Sequence, residues 1–313
     1  MDLLELIKEK CDSFSDTEII ESHRNVITHI EVAEQHFHKG KMGDEYLFTD
    51  VIYRCNQAFE GSIKEAYKVF TGRSTENRSV NSIEQYFEEE GILRNRVLSL
   101  FTNYRQQWRN ESTHNYNLNF TSQEAFLALV NICAFFNILL DEMLIKKAYN
   151  KQKEDFSISN EALSIFFEET TLIGEITQIL LEFSKNIHSV EHINRPYMEM
   201  ELIGSLSAYV SLVDKSLEAT SEYKIIDDNF IGMPDIFIQK NNDSLLIEMK
   251  RIGKRHISFY KEGAKMQLLR YMLASGINAG IVYIPPIKPS DKMVVNEVEG
   301  LDSNLKIIEI YPE

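Results

Sequence analysis

Apolar and polar residues alternate in a short stretch near the C-terminal end of the chain, between positions 230 and 252. Ile236 and Ile238 fall on alternate positions, a polar turn follows at 241–243, and a second apolar run begins at Leu245. Alternation of this kind is typical of a half-buried strand. Two such runs on either side of an Asn-rich turn predict a β-hairpin.

Charged residues lie in this hairpin where a core strand would carry none. If Asn241 and Asn242 form a two-residue turn, Asp235 lies directly opposite Glu248. Like charges placed so, with Cβ atoms about 5 Å apart, are destabilising unless a cation neutralises them. Lys250 lies on the same face of the strand as Glu248. The pattern therefore predicts a site for Mg²⁺ or Mn²⁺, since a hard cation binds carboxylates, waters and phosphate oxygens.

The surrounding sequence predicts a sheet covered by helices. A helix is expected from about 198 to 217, and a second from 258 to 275, with Gly276 as its C-cap glycine. Buried strands are expected at 279–284 and 305–311. Strand, helix and strand at this spacing predict a right-handed crossover, so the sheet is expected to be mixed.

Three short motifs in this region resemble the PD-(D/E)XK nuclease superfamily. They are Gly232-Met-Pro-Asp235, Glu248-Met-Lys250 and Gln267-Leu-Leu-Arg-Tyr271, the last of which is similar to the RecB-like branch. The resemblance covers about 195–313. It implies a restriction-endonuclease-like core of order α-β-β-β-α-β with a metal-dependent site that cleaves phosphodiester bonds.

The resemblance also implies a role for each residue of the motifs. Asp235, Glu248 and the Met249 carbonyl would hold Mg²⁺ or Mn²⁺, and Lys250 would activate or stabilise the attacking hydroxide. Gln267 and Tyr271 would orient the substrate or the lysine. The superfamily often adds an acid from the preceding helix, for which Glu201 is the first candidate and Glu199 the second.

The first half of the chain has a helical pattern, with segments expected at 16–41, 44–70, 82–110 and 122–149. Thr121 and Glu124 form a capping box before the last of these segments. A four-helix bundle accommodates the four segments. The whole chain is therefore expected to be an α+β protein of two domains, with 1–150 helical, 151–194 a linker and connecting helix, and 195–313 the nuclease-like domain.

One segment of the predicted bundle carries a possible second site. Arg109, Asn110 and His114 follow the pattern R-N-x-x-x-H where a helix gives way to a loop. This pattern resembles the signature of HEPN domains, and the resemblance covers about 16–150. It implies a metal-independent ribonuclease site at a homodimer interface, or a scaffold without activity. Glu60 is a further polar candidate, while His23, His29, His36 and His38 are expected on the surface.

The composition favours a folded globular protein over a disordered one. Hydrophobic residues make up 43% of 313 residues, as in globular domains, and three distant cysteines argue against a disulfide framework or a zinc site. Asn131 and Asn137 interrupt the most apolar run, and the charged first ten residues do not resemble a signal peptide. No membrane association and a cytoplasmic location are expected.

The net charge of −15 at first argues against a nucleic-acid partner. Positions 241–271 nevertheless carry seven basic and three acidic residues beside the predicted metal site. Contact with phosphates needs only a local basic surface, and acidic surroundings suppress non-specific binding.

The resemblances together imply a metal-dependent nuclease, with DNA favoured over RNA as substrate. A chain with two nuclease-like modules resembles prokaryotic antiviral or restriction proteins, which implies a role in defence together with a partner protein. One alternative is a HEPN ribonuclease toxin whose C-terminal domain only binds nucleic acid. Another is a non-catalytic dimeric scaffold that recruits a partner.

Overall fold

The computed structural model describes residues 2–14, 16–93, 95–110, 119–159, 171–187, 198–221, 223–227, 230–252, 257–288, 290–299 and 304–313. The chain divides into two compact units, Met1–Lys146 and Lys147–Glu313.

The N-terminal unit is helical. Its helices are α1 (Leu3–Cys11), α2 (Thr17–Lys41), α3 (Leu47–Thr71), α4 (Val80–Glu89), α5 (Asn95–Tyr104) with a π-helical continuation (Arg105–Asn110), and the first part of α6 (Ser122–Ser159). The expected single helix over 82–110 is wrong, because the chain breaks after α4. Gly91 has a φ of +60°, and the Ile92 N–H donates to the Phe87 carbonyl at 3.0 Å, which ends α4 as a left-handed glycine commonly does.

Helix α6 begins at Ser122, as predicted from the sequence. The Thr121 N–H donates to Glu124 Oε2 at 2.8 Å, and the Glu124 N–H donates to Thr121 Oγ1 at 3.3 Å. The capping box is thereby confirmed. The end of α6 differs from the prediction: residues 151–159, expected as the start of a linker, continue the helix to Ser159. Lys, Gln and Glu are good helix formers, so polarity alone does not make a segment a loop.

Helix α6 is also long and apolar enough, over Ser122–Asp155, to cross a membrane by length and composition alone. Half of its most apolar window is buried inside the protein, as in a core helix of a bundle. The expectation that Asn131 and Asn137 interrupt the most apolar run is too strict, because two amides in a long helix lower its mean hydropathy only slightly.

The C-terminal unit combines helices with a mixed sheet, which confirms the predicted α+β class. Helices α7 (Leu172–Asn186), α8 (Glu199–Val213) and α9 (Ile257–Ser275) accompany strands β1 (Glu218–Ser221), β2 (Ile225–Asp227), β3 (Phe230–Gly232), β4 (Ile236–Lys240), β5 (Asp243–Met249), β6 (Ala279–Tyr283), β7 (Met293–Glu297) and β8 (Lys306–Pro312). Six strands form one sheet in the order β1-β4-β5-β6-β8-β7, and β2 and β3 form a separate ribbon.

The predicted register of the hairpin is confirmed. Ile236 pairs with Ile247, and Lys240 pairs with Asp243. Asn241, the first residue of the turn, has a positive φ of 55°, as the favoured two-residue hairpin turns require at that position. Strand β5 runs parallel to β6, and β6 runs parallel to β8, while the outer pairs are antiparallel.

Two apolar clusters cover the sheet on opposite sides. Residues of α7 and α8 bury one face, together with the inward side chains of β4, β5, β6 and β8. Helix α9 buries the other face through Ala264, Leu268 and Met272. A side chain at Gly280 of β6 would lie within 3 Å of Met272 and Leu268, so this glycine lets α9 approach the sheet closely.

Candidate active site

Asp235 and Glu248 meet where the hairpin opens. Asp235 directly precedes β4, and Glu248 is the penultimate residue of β5. The Met249 N–H donates to Asp235 Oδ2 at 2.6 Å, which fixes the aspartate carboxylate beside the end of β5. The last pair of the hairpin is Ile236 with Ile247, and the same register extended by one residue sets the two acids opposite each other.

Lys250 lies among three carboxylates. Its Nζ is 2.7 Å from Glu248 Oε1, 3.9 Å from Asp235 Oδ2 and 3.9 Å from Glu199 Oε1. Burial lowers the pKa of Lys250, but the three acids outweigh burial and the pKa is raised overall. The lysine is therefore an ammonium ion at neutral pH, held within 4 Å of each acid.

Glu248 is fully buried, which is unusual for a carboxylate. Its Oε1 forms an ion pair with Lys250 Nζ at 2.7 Å, and within the described part of the chain its Oε2 accepts no hydrogen bond. Burial raises the pKa of Glu248, and the charge of Asp235 raises it further. Such a carboxylate is costly to ionise, and Lys250 offsets only part of that cost.

The pKa of Asp235 is also raised, and burial is again the main cause. Burial raises its pKa, while Lys250 and the Met249 N–H oppose the rise. If Asp235, Glu248, Glu199 and Lys250 are all charged, the cluster is left with two negative charges that nothing within it neutralises. One divalent cation would balance that charge.

The acid that α8 contributes is Glu199 rather than Glu201, the first candidate. The Glu201 carboxylate accepts a hydrogen bond from the Met198 N–H at 2.7 Å and so caps the start of its own helix. Glu199 reaches the end of β5, where its Oε2 accepts a hydrogen bond from the Arg251 N–H at 3.0 Å. The second candidate is thus the one that the structure places beside Lys250.

Gln267 and Tyr271 lie one turn apart on α9. Gln267 Nε2 donates to Tyr271 Oη at 2.7 Å. Burial raises the pKa of Tyr271, and the charges of Glu248 and Asp235 add to the rise. A Cβ at Gly232 would lie 2.5 Å from the Tyr271 ring, so only glycine allows the ribbon to pack against this tyrosine.

The residues present fit a magnesium-type ion that takes few protein ligands. No three His, Cys, Asp or Glu side chains among the described residues are arranged to hold a metal together. Mg²⁺ commonly binds through one or two carboxylates and takes its other ligands from water and phosphate. Asp235 and the buried Glu248, with the Met249 carbonyl, match that smaller set.

The predicted second site falls largely outside the described residues. Arg109 and Asn110 belong to the π-helical segment, and the structure does not describe their side chains. His114 lies within 111–118, outside the described residues. Glu60, the further candidate, pairs with Lys64 at 2.8 Å on its own helix. The HEPN-type site therefore stays a prediction.

The sequence interpretation was wrong about His23. It was expected on the surface, yet its ring is fully buried. It contacts Phe14 and Phe136 edge-on, with centroids 4.7 and 5.9 Å apart. The signal was present in the sequence, since His23 lies three and seven residues before the buried Val26 and Ile30 on the same helical stripe.

The sequence also contained no indication that Glu309 is buried. Glu309 of β8 lies in one row with Val282 of β6 and Glu248 of β5, and its Oε2 is 2.8 Å from Lys261 Nζ. No motif marks Glu309, because its position in the row depends on how three separate strands align.

Comparison of the chain with models of protein families, with curated proteins and with solved structures finds no match. Both family resemblances therefore rest on the motifs alone.

Proposed function

We propose that the C-terminal unit is a metal-dependent nuclease that hydrolyses phosphodiester bonds, and that DNA is its substrate in preference to RNA. The observation that carries the proposal is the position of Lys250 within 4 Å of Asp235, Glu248 and Glu199, at the opening of one hairpin. The preference for DNA rests on the resemblance to PD-(D/E)XK nucleases.

The two hairpin acids would bind the ion. Asp235, Glu248 and the Met249 carbonyl would hold Mg²⁺ or Mn²⁺, which would polarise the phosphate and acidify a bound water. The hydrogen bond from the Met249 N–H keeps Asp235 aimed at this position before any ligand arrives. The burial of Glu248 keeps its carboxylate in a medium where it attracts a cation strongly.

Lys250 would act by its charge. Because the neighbouring acids raise its pKa, Lys250 stays protonated and has no lone pair with which to accept a proton from water. It is suited instead to orient an attacking hydroxide and to stabilise negative charge that develops on the phosphate. Of the roles expected for Lys250, stabilisation of the hydroxide fits these contacts better than activation by proton removal.

Helix α9 would supply the residues that contact the substrate. Gln267 and Tyr271 share a hydrogen bond, and the charges of Glu248 and Asp235 contribute to the raised pKa of Tyr271, so the pair would orient a phosphate or the lysine. Arg251 follows Lys250 directly, and its backbone is held by Glu199. Basic groups at this end of the sheet would attract a nucleic-acid backbone despite the negative net charge.

Cleavage of end-labelled single- and double-stranded DNA and RNA tests the proposal. The wild type is expected to cut DNA with Mg²⁺ or Mn²⁺ and not with EDTA. Asp235→Asn and Glu248→Gln keep the shape of each side chain and remove one ligand charge, so each is expected to lower the rate at least about 100-fold.

EDTA-resistant RNA cleavage that is lost in His114→Ala, and kept in Glu248→Gln, would instead assign the activity to the N-terminal unit. Absence of cleavage of every substrate under every metal condition would contradict the proposal and favour a scaffold.

A further inference from the structure

One face of α9 carries three large apolar side chains that are open to solvent. Phe259, Met266 and Leu273 are 78%, 50% and 66% exposed. Each lies seven residues from the next, so the three form a single stripe along the helix, about 21 Å long. Exposed apolar patches of this kind mark interaction sites in soluble proteins.

The stripe is not part of the unit's own core. Helix α9 packs on the sheet through its opposite side, where Ala264, Leu268 and Met272 are buried. The helix is thus apolar on two sides, although one apolar side suffices to hold it on the sheet. We therefore expect the outer stripe to pack against another molecule.

The sequence of the outer face is complementary to itself. We propose that α9 pairs antiparallel with α9 of a second copy of this chain, about a two-fold axis at Met266. Under this symmetry, residues equally far before and after Met266 lie side by side. Phe259 and Leu273 are both seven positions away, so each phenylalanine packs against the leucine of the other copy.

Charges on the same face determine the direction of pairing. Glu262 and Arg270 are both exposed and both four positions from Met266, about 6 Å along the helix axis. Antiparallel pairing places each glutamate beside the arginine of the other copy. Parallel pairing in register would place Glu262 beside Glu262 and Arg270 beside Arg270, which is repulsive.

A small residue lets the two helices approach. Gly263 is exposed next to Glu262, and a Cβ built on it would meet no atom within 4 Å. Its missing side chain leaves room for the partner helix close to the axis. Because one helix pair buries less than a standard protein interface, the dimer is expected to be weak and to depend on concentration in the micromolar range.

This interface is distinct from a dimer through the helical N-terminal unit, which the HEPN resemblance implies. It also does not depend on the proposed nuclease activity, because all of its residues lie on the outer face of α9. Since the same helix carries Gln267 and Tyr271 on its inner side, the two-fold axis would relate two copies of the candidate site.

Sedimentation velocity of the full chain over a range of concentrations tests the pairing. Glu262→Arg and Arg270→Glu each place like charges together twice in the dimer, so each is expected to weaken dimerisation about tenfold. The double variant exchanges the two charges and is expected to restore the wild-type dissociation constant to within about threefold. Both substituted positions are exposed, and circular dichroism checks that each of the three variants is folded.

Disulfide trapping gives an independent measurement. Met266→Cys places one thiol of each copy at the axis, while the native Cys11, Cys55 and Cys133 are buried. Oxidation is expected to yield a covalent dimer of this variant and not of the wild type. A monomer at every concentration, a dimer that neither single charge variant weakens, or no trapping through position 266 would each overturn the proposal.

Discussion

The buried His23 makes the stability of the N-terminal unit depend on pH in a defined way. Burial, with a smaller contribution from Lys68, lowers the pKa of His23 from 6.5 to about 4. The folded state therefore holds the ring neutral at a pH where the unfolded chain protonates it. Well above pH 6.5 the neutral ring costs the folded state nothing. As the pH falls from 6.5 towards 4, the unfolded chain takes up a proton at His23 and the free energy of unfolding decreases.

The size of the effect follows from the shift. Each unit of pKa corresponds to about 1.4 kcal/mol, so the whole shift corresponds to roughly 3 kcal/mol, of which about 2 kcal/mol is lost by pH 5. His23→Leu removes the titrating group and also two buried ring nitrogens that have no partner among the described residues. At pH 7.5 the variant is expected to be at least as stable as the wild type.

Urea denaturation at pH 7.5, 6 and 5 measures this difference. Trp108 is the only tryptophan of the chain and lies in the N-terminal unit, so its fluorescence reports the unfolding of that unit. The stability of the wild type relative to His23→Leu is expected to fall by about 2 kcal/mol between pH 7.5 and 5. His38→Leu is the control, because His38 is exposed on the same helix. Equal pH dependence in the wild type and His23→Leu would refute the reasoning.

Three further predictions concern the candidate site. Glu248→Gln is expected to raise the thermal midpoint of the metal-free protein at pH 8, since it removes a buried charge beside Asp235, and to abolish any rise on adding Mg²⁺; scanning fluorimetry measures both. Gly232→Ala is expected to displace the Tyr271 ring, at a cost of about 1–3 kcal/mol in urea denaturation, and to lower cleavage. Glu199→Gln is expected to lower the cleavage rate at least tenfold, whereas Glu201→Gln keeps its helix cap and is expected to leave the rate nearly unchanged; equal rates in these two variants would contradict the assignment of Glu199.

The sequence predicted the hairpin well because its signals are local. A two-residue Asn turn fixes the register, and the alternation around Ile236 and Ile238 fixes which side chains face the core. The opposition of Asp235 and Glu248 follows from those two facts alone. The capping box at Thr121 could be predicted for the same reason, since all of its atoms lie within four residues.

Features that depend on distant residues could not be predicted in this way. Glu199 and Glu201 lie two residues apart, and only the position of the Arg251 N–H, about fifty residues away, distinguishes them. Strands β1 and β7 are short and largely exposed, and each forms because a neighbouring strand offers an edge to pair with. The residues near each position in the sequence therefore say little about these long-range contacts.

The same limit applies to the helical unit. The sequence predicted one helix over 82–110, because helical periodicity persists on both sides of Gly91. Whether a glycine ends a helix or lies within it depends on the packing around it. In the structure Gly91 has a positive φ, and α4 ends just before it at Glu89.

The most direct test of the proposed nuclease compares two lysines at opposite ends of the same hairpin. Lys250 and Lys240 have side chains that are equally exposed, at 23%, and each contacts more than one carboxylate. Lys240 pairs with Glu175 and Asp214, away from the candidate site. Substitution by methionine at either position removes one partly buried charge of the same kind.

The measurement is the single-turnover rate of cleavage of labelled DNA with Mg²⁺. We expect Lys250→Met to lower the rate at least about 100-fold and Lys240→Met to leave it within about threefold of the wild type. Cleavage that survives in Lys250→Met, or that both substitutions reduce equally, would contradict the assignment of catalysis to the opening of the hairpin.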